Sequence, residues 1–181
     1  MTRPSFPIEL DLTRADGDRR LYLLQGIGTI RLHGLLMRAA TARSADAAWH
    51  LARHGFWQRT IQATQSDGHV AGTFQPRDIR RGGILHWQAH HYTLRPDSTV
   101  RERYSLSSGR RELALLEAKG WWGWGTRRPL TLQLLDGTGA FDPGLLLFAS
   151  FIVRTVADDA STTAGVAATV TTTSSACSFG V

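Results

Sequence analysis

The sequence predicts a mainly β protein: an antiparallel closed β-barrel wrapped around a hydrophobic C-terminal α-helix. Three observations carry this expectation. Short runs alternating apolar and polar residues recur at about ten-residue spacing, as in barrels and sandwiches. Turn-forming clusters such as Ser66-Asp67-Gly68 separate them. Near the C-terminus, one segment from Leu145 to Val156 is apolar around nearly its whole circumference. No run of strands alternating with helices, which a parallel sheet would need, is found.

Taken in order, Ile8 to Leu12 alternates strictly, as a half-buried strand should, and Ala15-Asp16-Gly17-Asp18 reads as a turn. Leu21 to Leu36 reads as extended chain in which Gly26, Gly28 and Gly34 mark bulges or bends. Strands follow over Trp49 to His54 and Trp57 to Thr64, and the Ser66-Asp67-Gly68 hairpin returns the chain through Val70 to Phe74. Gln75 to Gly83 is a polar, Arg-rich loop. Ile84 to Leu94 reads as one long extended segment, turned by Arg95-Pro96-Asp97-Ser98 into Val100 to Leu106. Ser107 to Arg110 turns the chain into Leu113 to Ala118, and Leu130 to Leu135 alternates again, for about eight to ten strands in all.

The helix is expected over about 142–158. Asp142 can cap it and Pro143 suits its first turn. Leu145, Leu146, Leu147, Phe148, Phe151, Ile152, Val153 and Val156 leave no polar face. Burying them contributes on the order of 10–20 kcal/mol gross, which only complete enclosure uses. The apolar run before Arg154 is too short to span lipid, so a helix threaded through a barrel fits it. Residues 1–159 then form one domain, and the uncharged Ser/Thr/Ala-rich stretch 160–181 is expected to be a flexible tail, in preference to a strand at Ala164 to Val170.

Size and composition agree with a single core: 181 residues, 42% hydrophobic and 20% charged, exclude a chain disordered throughout. With Cys177 as the one cysteine, no intramolecular disulfide can form, and Met1 to Asp18 lacks the apolar stretch of a signal peptide. The expectation is a cytoplasmic protein, soluble or peripheral to the membrane. A formal charge of +6, with Lys119 the one basic residue that is not Arg, favours anionic partners: phospholipid or membrane surface first, nucleic acid behind it.

The run of antiparallel hairpins closing on Asp142-Pro143-Gly144-Leu145-Leu146-Leu147-Phe148 resembles the tubby C-terminal-like superfamily, which includes LURP-one-related proteins and phospholipid scramblases. The resemblance covers roughly Arg20 to Asp159. It implies a closed barrel around a central helix and, by way of the tubby domains, phosphoinositide recognition; many bacterial members have no assigned activity. Its basic head-group positions do not match this sequence one by one, so no lipid-binding residue is carried over.

Candidate chemistry is sparse. His86, His90 and His91 are the densest histidine group, but on one continuous strand His86 and His90 stand about 13 Å apart with His91 on the other face, so no metal site is expected. Gly120 to Gly125 lacks the helix that a phosphate-binding glycine loop precedes. No nucleophile motif and no cofactor motif occurs, so catalytic residues and cofactors are both expected to be none. Two clusters suit an anionic surface: Trp121, Trp122 and Trp124 beside Arg127 and Arg128, and Arg77, Arg80 and Arg81 before Gly82-Gly83. The bland alternatives are Trp side chains plugging the barrel mouth and a solvated loop. The expected function is a non-enzymatic domain that binds anionic phospholipid through these basic and Trp-rich loops. The alternatives are a small enzyme using His86, His90, Arg101 and Arg103 at the barrel mouth, or a nucleic-acid-binding protein.

Overall fold

The computed structural model describes residues 8–34, 39–54, 60–77, 82–98, 102–118, 129–135 and 141–170, with helix side chains through Val156. Twelve strands form a closed antiparallel barrel: β1 (Ile8–Arg14), β2 (Leu21–Leu24), β3 (Gly28–His33), β4 (Ala39–Arg43), β5 (Ala48–His54), β6 (Thr60–Gln65), β7 (Val70–Pro76), β8 (Gly83–Trp87), β9 (His90–Ser98), β10 (Glu102–Ser108), β11 (Arg111–Ala118) and β12 (Leu130–Leu134). Each strand pairs with its neighbours in sequence, and β1 pairs with β12 to close the ring, Ile8 opposite Leu134 and Leu12 opposite Leu130. The end at which β1 finishes is called upper. Six connections between odd strands and the even strands that follow them therefore lie there, and the tight hairpin turns lie below.

The helix α1 (Pro143–Val170) enters from the lower end. An eight-stranded barrel is filled by its own side chains, whereas twelve strands enclose a wider space, which a helix about 10–12 Å across fills. The eight large helix side chains are all buried, Leu146, Leu147, Phe148, Phe151, Ile152 and Val153 completely. Inward strand positions alternate accordingly. Large residues such as Leu51, Ile61, Leu85 and Leu94 fill the wall, while Ala40, Ala42, Ala63 and Ala114 make room for the helix. Leu145 to Val156 spans about 18 Å, enough to cross the barrel from end to end.

Where the structure differs from the sequence reading, local turn chemistry explains it. Leu21 to Leu36 is not one extended run. A turn at Gly26, at φ +70°, divides it into β2 and β3, and Gly28 sits where a Cβ would strike the carbonyl of Arg43. β4 was not foreseen, because Ala39-Ala40-Thr41-Ala42 has little β propensity. Ile84 to Leu94 is likewise a hairpin, reversed at Gln88, a residue with no usual turn preference held at φ 51°. Arg95-Pro96-Asp97-Ser98 is strand, not turn, and Pro96 is tolerated beside the register shift at Arg103/Tyr104. The eight to ten strands expected from sequence thus become twelve, with β4 added and two segments divided. The helix continues through Val170, past the expected end near 158; 171–181 lies outside the described residues.

The outer wall is polar. Thr29 and Arg31 on β3, Thr41 and Arg43 on β4 and Gln62 and Thr64 on β6 alternate with buried partners. A lipid-spanning barrel has the opposite arrangement, an apolar outer band around a polar interior. Among the described residues, no helix is long and apolar enough to cross a membrane.

Candidate anion-facing rim

At the upper end, Arg14 finishes β1, Arg19 and Arg20 lie in the β1–β2 turn, Arg53 is near the end of β5 and Arg77 follows β7. Arg154 reaches the same end from the helix. Its guanidinium lies 3.9 Å over the Tyr22 ring and donates a 2.8 Å hydrogen bond to the Tyr22 hydroxyl. Nothing else in the apolar stretch of α1 before Val156 is charged, and the fold uses this one charge where the helix emerges. Two further arginines there are paired, Arg31 with Asp18 at 3.0 Å and Arg103 with Asp97 at 3.2 Å. Asp16, Glu102 and Glu117 add negative charge but leave the described upper residues net positive. Among the described residues, the lower end has Arg43, Arg110 and Arg111 against Glu9, Asp46, Asp67, Glu112 and Asp142, a net negative balance.

Next to Tyr22, an open depression of about 390 Å³ is lined by Leu12, Thr13, Arg14, Ala15, Asp16, Gly17, Tyr22 and Pro129. The wall of this depression combines apolar surface from Leu12, Ala15 and Pro129 with one cation, Arg14, and one carboxylate, Asp16.

Of the residues singled out from sequence, Arg77 is exposed at the upper end, and its backbone N–H donates to the Gly82 carbonyl at 2.8 Å, drawing the two sides of that loop together. Arg80, Arg81, Trp121, Trp122, Trp124, Arg127 and Arg128 lie outside the described residues. The chain positions flanking them, Arg77, Gly82, Ala118 and Pro129, all belong to the upper end. Arg14, Arg19, Arg20, Tyr22 and Arg154 were missed. A single Arg within an otherwise apolar helix was the available signal for the last.

Among the described residues, Trp49 and Trp87 occupy a barrel mouth, at the lower end. Their rings are 5.7 Å apart, and Trp87 lies 5.6 Å from Phe148. Gly144 allows this, since a Cβ there would lie 2.6 Å from Trp49. Asp142 caps the helix through the Gly144 and Leu145 N–H groups at 2.8 and 3.4 Å, and Gln88 donates to its other oxygen at 3.0 Å. Tyr92 stands near this cap, and burial first, then the Asp142 charge, raises its hydroxyl above the ordinary 10.0.

The histidine geometry read from sequence is corrected here. The β8–β9 hairpin sets His86 directly opposite His91, with ring centres 4.4 Å apart, while His90 lies opposite Trp87. The residues invoked for an enzyme do not converge: His86 and His90 are near the lower end, Arg103 is at the upper end in its ion pair, and Arg101 is outside the described residues. Among the described residues, no group of three or more His, Cys, Asp or Glu side chains is placed to hold a metal. No family model, curated protein or solved structure matches this chain.

Proposed function

We propose that this barrel is a non-enzymatic binding domain that meets anionic phospholipid at a membrane surface with its upper end. The observation that carries the reading is the separation of charge along the barrel axis, arginine-rich above and acid-rich below. Such a molecule approaches a negative surface in one orientation. Each Arg near the surface contributes about 1 kcal/mol, so the exposed Arg19, Arg20 and Arg77 together supply a useful but reversible attraction. The Trp121 to Arg128 segment and the Arg80-Arg81 pair belong by sequence to connections between upper strand ends, which supports the same side. So does the resemblance to the tubby C-terminal-like superfamily.

Co-sedimentation with phosphatidylserine-containing and purely zwitterionic vesicles at low salt tests the proposal. Binding to the anionic vesicles alone is expected. The triple substitution Arg19→Glu, Arg20→Glu, Arg77→Glu should weaken it at least tenfold, at about 1.4 kcal/mol per factor of ten. The lower-end pair Arg110→Glu, Arg111→Glu should leave it nearly unchanged. No binding at low salt overturns the reading, and binding to nucleic acid in place of vesicles would transfer the rim to another anionic polymer.

A further inference from the structure

We propose that His86 and His91 form a chelating site for a late first-row divalent cation, with Cu²⁺ bound ahead of Zn²⁺. Two observations lead there. Antiparallel register places the two residues side by side on the outer wall, His86 half-buried and His91 exposed, with ring centres 4.4 Å apart. With metal–nitrogen bonds of about 2.0–2.1 Å, two imidazoles in cis positions on one ion have centres about 4.5 Å apart. The backbone therefore holds the rings at the required spacing before any ion arrives. Their present edge-to-face angle of 74° changes by rotation about χ2, a broad torsion that costs little.

The electrostatic surroundings suit a cation. Thr73 lies beside His86 on β7, and the next outward row along the wall reads Gln75, Ile84, Thr93, Ser107 and Glu112. Neither row contains an arginine, the nearest cations being Arg110 and Arg111 at the β10–β11 turn, and both strand segments sit toward the lower end, away from the rim proposed to meet lipid. Imidazole nitrogen is an intermediate donor that suits Cu²⁺, Ni²⁺ and Zn²⁺, and affinity at a fixed site rises to Cu²⁺ and falls at Zn²⁺. Two protein ligands leave the other coordination positions to water, so the ion would be held open to a further small ligand. The site does not depend on the membrane reading.

The test uses the full chain with Cys177→Ser throughout, so that no thiol competes, and titrates Cu²⁺ in a non-coordinating buffer. Calorimetry should show one equivalent bound first, with a paramagnetic resonance signature of two imidazole nitrogens. Losing either partner removes the intramolecular second step, so His86→Ala and His91→Ala should each weaken this binding on the order of a hundredfold. His54→Ala, at the opposite end of β5, should not. Chemical modification of the unaltered protein provides a reading independent of any variant's folding: one equivalent of Cu²⁺ should shield His86 and His91 but not His54 from diethyl pyrocarbonate. A one-nitrogen signature, equal loss in His54→Ala, or unshielded His86 and His91 overturns the proposal.

Discussion

At the residue scale, packing against the helix entry decides more than propensity does. Gly144→Ala should gain about 1 kcal/mol as a helix residue. The added methyl, however, would press into the Trp49 and Trp87 rings, and overpacking typically costs about 1–3 kcal/mol. The melting temperature is expected to fall, and a rise would show that both indoles can move aside. Phe148 is completely enclosed, so Phe148→Ala should cost about 3–5 kcal/mol in a denaturant or thermal melt, and Phe148→Asp should not fold. That enclosure was legible in the sequence because no surface helix tolerates apolar residues on every side. The His86–His91 contact was not, since it depends on a reversal at Gln88-Ala89, where no Gly, Asn or Pro announces a turn.

At the element scale, two hairpin turns were easier to read than the weak strands. The β6–β7 and β10–β11 turns carry Gly68 and Gly109 at positive φ, and both were marked by composition. β4 escaped because its inward Ala40 and Ala42 are small for the helix's sake, which erases the hydrophobic alternation that would have revealed it. The helix start was legible from Asp142-Pro143, and Asp142→Ala should cost about 1 kcal/mol through the lost cap. Asp142 also acts on Tyr92. Because the folded protein holds the Tyr92 proton more tightly than the unfolded chain, stability is fully present below about pH 10 and declines as pH rises beyond it. Tyr92→Phe should remove that part of the alkaline decline in melts between about pH 9 and 11, and an unchanged profile would contradict the assignment.

At the scale of the whole molecule, the sequence shows an excess of arginine but not its placement. Antiparallel order converts a one-dimensional list into an axial dipole. Arg19, Arg20 and Arg77 are far apart in sequence yet share an end because each lies between an odd strand and its even successor. Vesicle binding through that end should weaken steeply from low to physiological salt as screening shortens to about 8 Å, whereas barrel stability should hardly change. Equal sensitivity of both would mean that the arginines support the fold and not a partner.

The ladder that joins β1 to β12 has a consequence for how the chain is made. Ile8 finds its partner Leu134 only after nearly the whole wall has been synthesised, and the helix that fills the interior emerges later still. A nascent chain therefore holds an open, curling sheet whose apolar inner face has nothing to cover it, while the most distant contact in the wall sets the entropic barrier to closing. Closing and filling become a single late event, so a chain cut before Pro143 has no smaller native structure to fall back on and is exposed to edge pairing and aggregation from the moment of its release.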